Sequence, residues 1–511
     1  MRRPAVYLIG AGPGDPGLMT VHGLECLRAA DVVVYDHLVP RRLLKHARAD
    51  VELIDVGTAS PRPLAQEAIC YLLAEKAREG KMVARLKWGD PFVFDRGGEE
   101  ALFLHEQRVP FEVIPGIPAA IAVPAYAGVP VTYPGEGDTI TLIRGYEDES
   151  RTLPDIDWAS LVRLGGTSVC YAGAHQLPRI LEALRTNGWP ADGQAIVVYN
   201  GTLPNQETVS GTIAELLDRL REHPRREPAT LVVGRVVGLR PHLRWYDARP
   251  LFGRRVLVTR PREQAAELVD RLTILGADAV EAPLIRIEPP DDLGPLRDAA
   301  AAADAFDWIA FTSVNAVDAF IKALLDGEGD VRTLKGPRLC AVGTGTAEKL
   351  AQYGIKVDLV PGEFRAEALV SAIAAAGPVD GVRVLLPRAD IGREVVADLL
   401  RQAGAVVTEV VAYRTILDDT LREGDPDVYG LLLEGRLDVV TFASPSAVRS
   451  FVKIYGAEAA ADLLKHTVVA VIGPVTAEAA RQVGIPVTIQ PSTYTIAALV
   501  DAIVAHYANT N

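Results

Sequence analysis

The chain has 511 residues, 49% of them hydrophobic, so a single core is excluded and two to four domains are expected. A net charge of −13 excludes a basic nucleic-acid surface. The four cysteines, Cys26, Cys70, Cys170 and Cys340, lie far apart with no CxxC spacing and no histidine cluster, which reads as buried thiols in a reducing compartment and offers no metal site.

Met1 to Pro4 runs directly into the strand-like AVYLIG, so no signal peptide is expected. The first half then repeats one pattern of strand, glycine turn and helix. VYLIGAGPGDPG leads to LMTVHGLECLRAA and DVVVYD; KMVARLKWGDPFVF and FEVIPGIPAAIAV follow. The weakly polar run Ile117 to Val131 is too short for a membrane span and carries three prolines, and is read as a buried loop and helix. From Thr139 to Gly238 the strands TLIRG, TSVCYAG, AIVVYNGT and ATLVVGRVVGL continue the style as a second α/β subdomain. Apolar strands ending in Gly, Asp and Thr, with helical patterns between them, predict a largely parallel sheet with sites at the strand C-termini. Gly10-Ala11-Gly12-Pro13-Gly14-Asp15 is not the dinucleotide fingerprint, because Asp15 takes the third glycine position and Pro13 interrupts the turn.

Trp245 to Arg255 (WYDARPLFGRR) is a Pro/Gly-containing joint, after which the chain is written twice. FTSVNAVDAF at Phe311 returns as FASPSAVRSF at Phe442, an offset of 131 residues. AVGTGTAEKLAQYGIKV at Ala341 returns as AVIGPVTAEAARQVGIPV at Ala470. The segment opening RVLVTRP at Arg255 returns as RVLLPRA at Arg383, an offset of 128. A repeat of this length is a copied domain. Two similar α/β lobes with matching Ser, Thr and Gly loops imply a cleft lined from both sides. Residues 1–252 hold 28 Lys+Arg against 31 Asp+Glu, and the remainder 25 against 35. An anionic ligand of the second half must therefore be held locally, by backbone N–H groups, hydroxyls and a few arginines.

The blocks VYLIGAGPGDPGLMT, ADVVVYDHLV, RLKWGDPFVFDRGGEE, PFEVIPGI and PAYAGVPVT, closing in VVGRVVGLRPHLRWY, resemble the uroporphyrinogen-III C-methyltransferase family over about residues 5–247. The resemblance implies a class III methyltransferase with two α/β subdomains, holding S-adenosyl-L-methionine in the trough between them. It puts Pro13, Trp88, Gly89, Asp90, Val93, Ala119, Ala172 and Gly201 at the cofactor, and Asp36 at the reacting pyrrole as proton acceptor or cation stabiliser. Glycine and proline loops suit this, because they let backbone N–H and C=O groups approach a ligand. The chain departs from the family pattern in several places. Trp88 replaces the first glycine of Gly-Gly-Asp-Pro, Thr58 follows Val56-Gly57 where a basic residue is usual, and Ala172 replaces a methionine between Tyr171 and Gly173. Asp95 and Pro118 replace a glycine and a threonine, and Thr132-Tyr133-Pro134 stands for Thr-His-Arg.

The repeated half, from about Gly253 to Ala505, resembles uroporphyrinogen-III synthase through FTSVNAV, AVGTGTA, VLLPRAD, VVAYRT, FASPSAV and VIGPVTAEAA. The implied fold is two α/β lobes joined by two strands, crossing at about Pro283 to Ile287 and recrossing around Val410 to Ile416, so that each lobe takes pieces of both copies. Domains are expected at 1–247 (methyltransferase), 248–254 (linker) and 253–511 (synthase), with lobe 1 at about 253–285 plus 417–511 and lobe 2 at about 286–416. The implied reaction closes hydroxymethylbilane to uroporphyrinogen III without a cofactor. Tyr413 is the expected proton donor to the departing hydroxyl. Thr312, Ser313, Asn315, Thr344, Thr346, Arg414, Ser444, Ser446, Gly473 and Thr476 are the expected substrate-binding residues. Hydroxyls that open helices serve equally as caps and as anion contacts. Arg260 and Arg388, like Arg414, follow strands and are within reach of carboxylates.

Together the two resemblances describe a bifunctional cytoplasmic enzyme acting on small-molecule tetrapyrroles. They call for no metal, nucleic acid or membrane, and are compatible with a homodimer through the first half. The alternative is an active synthase carrying a non-catalytic methyltransferase domain as scaffold or tetrapyrrole-binding surface. A two-lobed ligand receptor fits less well, for want of an export signal beside the methyltransferase motifs.

Overall fold

A computed structural model describes residues 5–57, 64–145, 155–225, 227–361, 366–390, 395–417 and 426–508. The chain forms two compact units. One comprises the residues up to Arg254 with Leu275–Asp278, the other Arg255–Ile274 with Ala279 onward. No helix among the described residues is long and apolar enough to cross a membrane.

The first unit holds two five-stranded sheets. Strands β1 (Val6–Gly10), β2 (Val32–Tyr35), β3 (Glu52–Asp55), β4 (Val83–Lys87) and β5 (Phe111–Ile114) lie in the order β3-β2-β4-β1-β5, all parallel. Helices cover both faces, so β1, β2 and β4 are buried throughout, as their apolar runs require. The parallel order aligns the C-terminal ends of β1 and β4, which delivers the Gly10 turn and Trp88 side by side.

The second sheet contains β6 (Ile140–Arg144), β7 (Thr167–Gly173), β8 (Gln194–Tyr199), β9 (Glu207–Thr212) and β10 (Pro228–Val233), in the order β6-β7-β10-β8-β9. Here the expected parallel pattern is corrected. Only β6 and β7 are parallel; the three other pairings are antiparallel. For β8 and β9 the reason is the length of the connection. A parallel crossover needs a dozen or more residues, and only the short segment 200–206 separates β8 from β9, which fold as a hairpin. Ala119–Tyr126, the run read as a buried helix, is a helix with Pro124 inside it.

The second unit is built from β11 (Arg255–Val258), β12 (Asp278–Glu281), β13 (Ile285–Glu288), β14 (Trp308–Phe311), β15 (Arg338–Ala341), β16 (Arg383–Ala389), β17 (Val406–Leu417), β18 (Val439–Phe442) and β19 (Val468–Val471). They form one sheet in the order β12-β11-β18-β19 and another in the order β13-β17-β16-β14-β15. The two sequence copies exchange strands. The first pair of each copy starts 128 residues apart (255 and 383, 278 and 406), the second pair 131 and 130 apart (308 and 439, 338 and 468). Each sheet takes the first pair from one copy and the second pair from the other. β13 and the end of β17 pair antiparallel, Ile285 opposite Leu417 and Glu288 opposite Arg414, as two strands joining the lobes. The expected return near 417 abuts residues 418–425, which lie outside the described residues.

Candidate functional site

In the first unit, the turns after β1 and β4 are in backbone contact. Gly12 and Gly89 exchange N–H···O bonds of 3.2 and 2.9 Å. Gly10 and Gly116 are packed so closely that a Cβ added at Gly116 falls 2.6 Å from Gly10 Cα, so this approach requires glycine. Asp90 fastens the loops together. Its Oδ2 accepts from Gly116 N at 2.9 Å and its Oδ1 from Phe92 N at 2.8 Å.

Trp88 crosses this turn and donates its indole N–H to Pro13 O at 3.0 Å. Its ring lies edge-on to Tyr171, centroids 6.2 Å apart, and Phe94 meets Tyr171 at 5.5 Å from another side. The Tyr171 hydroxyl oxygen accepts the N–H of Ala120, and Trp88 and Tyr171 pack on the apolar cluster of Ala119 and Val123. Gly201, after β8, lies so close to Val123 that a Cβ there falls 2.6 Å from Val123 Cγ1. The fold thus gathers Pro13, Trp88, Gly89, Asp90, Ala119 and Gly201 around one set of loops. Ala172 occupies β7 beside Tyr171, and Val93 lies in the loop that Asp90 turns. Thr58 lies outside the described residues.

Asp36 follows β2, and Arg85 Nη2 donates to its Oδ1 at 2.6 Å. Arg85 is buried, as are Lys87, two residues on along the same strand face, and Glu100. Glu100 Oε1 accepts from Arg85 Nε at 3.2 Å, Lys87 Nζ at 3.0 Å and Gln66 Nε2 at 3.1 Å, and Lys87 Nζ pairs with Asp95 at 3.1 Å. Burial pushes the Glu100 carboxyl up, but Arg85 and Lys87 outweigh it and hold the group below its ordinary value. Burial pushes Asp95 up against the opposing pull of Lys87. Asp36, expected as proton acceptor or cation stabiliser, is thus the outermost member of a buried network of three acids and two cations. Sequence reading missed Arg85, Lys87 and Glu100. The signal was two cations in alternation within a strand otherwise made for burial.

In the second unit, Ser313 and Ser444 follow β14 and β18 by two residues and cap the helices Val314–Leu325 and Pro445–Tyr455. Their Oγ atoms accept Ala316 N at 3.1 Å and Ala447 N at 3.2 Å. Ser446 Oγ is 2.9 Å from Ser444 Oγ. Tyr413, 9% exposed on β17, places its hydroxyl 3.1 Å from Ser313 Oγ. Asn315 Oδ1 accepts from Gln264 Nε2, which joins the first turns of two helices. Thr312 and Thr344 are exposed. Gly343 and Gly473 precede the helices Thr344–Gln352 and Pro474–Gln482, with no side-chain cap on either. Thr346 and Thr476 lie in the first turns of those helices and are buried, because that face packs onto its sheet. Arg414 is already compensated, by Asp291 at 2.7 Å and Glu288 at 3.7 Å.

The tetrapyrrole (corrin/porphyrin) methylase family model matches residues 5–217, and the uroporphyrinogen-III synthase HemD family model residues 266–501. The porphyrin biosynthesis protein HemD of Ruminiclostridium josui is 36% identical over 484 residues, 94% of each chain. The chain belongs to this family of tetrapyrrole methylases fused to uroporphyrinogen-III synthase. It is an enzyme of porphyrin biosynthesis. Its methylase half is also 43% identical, over 235 residues, to the S-adenosyl-L-methionine-dependent uroporphyrinogen III methyltransferase of Methanosarcina barkeri, covering 46% of this chain and 92% of that one. Among solved structures, uroporphyrin-III-C-methyltransferase from Thermus thermophilus is 35% identical and covers 47% of this chain and 99% of that one, with a TM-score of 0.40. The synthase half contains Tyr413 and the paired serine caps; the methylase half contains the glycine turns and the Asp36 network.

Proposed function

We propose that the synthase half closes hydroxymethylbilane to uroporphyrinogen III with inversion of the last pyrrole ring. The observation that carries this reading is Tyr413 on a joining strand, its hydroxyl within hydrogen-bond distance of the Ser313 cap. The Tyr413 phenol donates a proton to the terminal hydroxyl of the bilane, water leaves, and an azafulvene cation remains. The electron-rich carbon of the last ring then attacks, through a spiro intermediate. The substrate ionises readily, so the larger task is to hold a flexible chain in the closing geometry. Ser444 and Ser446, at the other capped helix N-terminus, hydrogen-bond its carboxylates.

We propose further that the methylase half, residues 1–247, methylates uroporphyrinogen III toward precorrin-2, with the synthase at 253–511 supplying its substrate. The turns at Gly10–Pro13, Trp88–Asp90 and Gly116–Ala119 fit a nucleoside-bearing cofactor. They bring closely packed glycine backbone together with the Trp88 and Tyr171 rings and an alanine wall. Bound there, S-adenosyl-L-methionine supplies an electrophilic methyl group. Asp36, oriented by Arg85, faces the positive charge that develops on the pyrrole and receives the proton released from the methylated carbon. The setting of both activities is the cytoplasm.

A second reading rests on Trp88. Its indole is hydrogen-bonded to Pro13 O across the turn, which also suits a domain that has filled its own cofactor site and serves as scaffold. Calorimetric titration of the full chain with S-adenosyl-L-methionine, followed by supply of hydroxymethylbilane and analysis for uroporphyrinogen III and precorrin-2, separates the readings. Type III isomer and precorrin-2 support both activities. Type III isomer without cofactor binding supports the scaffold, and absence of the type III isomer overturns the synthase assignment.

A further inference from the structure

Of three arginines of the synthase half, Arg260 follows β11 while Arg388 and Arg414 lie within β16 and β17, and the last two are neutralised. Arg388 Nε stands 2.7 Å from Glu409 Oε2, and Arg414 is held by Asp291 and Glu288. Arg260 differs. It is largely enclosed, and among the described residues no carboxylate makes an ion pair with it. Its hydrogen-bond partner is a neutral amide, Gln264 Oε1, at a long 3.5 Å. In a half with 35 acidic and 25 basic residues, an uncompensated, enclosed guanidinium is costly unless a ligand compensates it. Burial lowers its pKa from the ordinary value against the opposing charge of Glu267.

Its placement is specific. β11 runs parallel to β18, with Val258 opposite Thr441, and the strand ends are locked by Thr259 Oγ1 donating to Thr441 O at 2.7 Å and Thr441 Oγ1 donating to Leu257 O at 2.9 Å. Arg260 therefore leaves β11 at the same sheet edge at which Ser444 caps its helix. Gln264, one turn further on, donates to Asn315 at the start of the helix that Ser313 caps. A polar chain Arg260–Gln264–Asn315 thus runs from the first lobe to the second.

We infer that Arg260 is the seat for one carboxylate side chain of the linear tetrapyrrole substrate, with Gln264 and Asn315 fixing its position between the two lobes. The inference rests on the synthase reading above. A planar guanidinium binds a carboxylate through two parallel N–H···O bonds, so it fixes the orientation of the bound ring as well as its position.

The test uses the full chain and its Arg260→Met and Arg260→Lys variants. Steady-state closure of hydroxymethylbilane gives KM and kcat, calorimetry with uroporphyrinogen III gives Kd, and thermal unfolding without ligand gives Tm. Loss of a charge-assisted bidentate contact raises KM and Kd of Arg260→Met about ten- to hundredfold and increases the share of product closed without inversion. Its Tm is unchanged or higher, because a buried uncompensated charge is gone. Arg260→Lys recovers part of the affinity. A wild-type KM and Kd in Arg260→Met overturns the inference, as does a lowered Tm with an unmoved Kd, which marks a packing role. A wild-type chain that binds uroporphyrinogen III but forms no type III isomer sinks the synthase reading alone, and the Kd of Arg260→Met then still decides whether Arg260 is a carboxylate seat.

Discussion

The hydroxyl of Tyr413 lies 3.1 Å from Ser313 Oγ, while the same Ser313 oxygen accepts the N–H of Ala316. With that lone pair used by the helix, the serine hydrogen is free to point at the phenol oxygen. Where Ser313 is the donor, the phenol proton is directed away from it, available to a departing group. Tyr413→Phe should reduce the rate of bilane closure by about a hundredfold or more, the range of a positioned general acid. Tm should change little, because only one hydroxyl is lost. Rapid-quench assay with product isomer analysis checks this. A full-rate Tyr413→Phe enzyme makes the residue structural.

Ser313 and Ser444 are equivalent caps, yet only Ser313 touches Tyr413. Each Ser→Ala change should cost about 1 kcal/mol of stability for the lost cap. Ser313→Ala should in addition lower kcat, and it should do so far less in a Tyr413→Phe background. Ser444→Ala should leave kcat additive with Tyr413→Phe. Equal coupling in both double-mutant cycles rules out the orienting role.

Trp88 fills volume where the family pattern has glycine, and a buried tryptophan covers about 200 Å². In an active methylase, its fluorescence changes on titration with S-adenosyl-L-methionine, and Trp88→Gly weakens binding. In a scaffold, Trp88→Gly creates or strengthens binding. One calorimetric titration distinguishes the signs. Unaltered affinity shows that the indole does not border the cofactor.

Asp36→Ala should leave cofactor affinity within about threefold of wild type and depress methyl transfer, since the carboxylate serves the reacting ring. Arg85→Met should do the same through Asp36, with further loss of stability. Isothermal titration and a methylation assay on the same preparations check the split. An undiminished rate in Asp36→Ala removes its assigned role.

The Glu100 network carries a pH signature. A carboxylate held below its unfolded value of about 4.3 contributes stability that is fully present above that pH and is lost as pH falls through the depressed folded value. Asp95, pushed up by burial, contributes in the opposite sense, so the comparison must be with a variant. Glu100→Gln should destabilise the first unit by about 3–5 kcal/mol at neutral pH, because Arg85 and Lys87 lose their shared partner. It should also flatten the loss of stability as pH falls below about 4.3, the unfolded carboxyl value. Urea unfolding followed by tryptophan fluorescence reports this, since four of the five tryptophans precede residue 250. Parallel pH profiles for wild type and Glu100→Gln contradict the assignment.

How much of this was legible from residues depends on what enforces each feature. The glycine turns and the helix-opening serines could be read, because a close backbone approach or a cap demands a particular residue type locally. The duplication was legible because copied segments preserve their spacing, whereas the exchange of strands between copies followed from the resemblance to uroporphyrinogen-III synthase and not from the spacing. The antiparallel half of the second sheet was not, because VVY and LVV have the same pattern whichever way a neighbour runs; only the short 200–206 connection hinted at a hairpin. The Arg85–Glu100 pairing was hidden for another reason. A buried ion pair is a tertiary event between β4 and the helix Gly97–Glu106, and nothing in RLK or GGEE alone names its partner. Arg260, Arg388 and Arg414 look alike in sequence. Only the placement of Glu409, Asp291 and Glu288 distinguishes them.

The reciprocal strand exchange imposes a timetable on synthesis from the N-terminus. The sheet containing β14, β15, β16 and β17 is complete once residue 417 has emerged, and its pairings span modest separations in sequence. The sheet containing β11 and β12 must wait for β18 and β19, nearly two hundred residues downstream, before its inner edge is covered. The open edge of β11 is thus the longest-lived vulnerable surface of the nascent synthase half, and pairings of such separation are slow and prone to aggregation. A truncation that stops between residues 417 and 439 should therefore leave one lobe folded and turn the other into a sticky appendage, whereas excision of either copy removes half of both lobes and leaves no closed sheet.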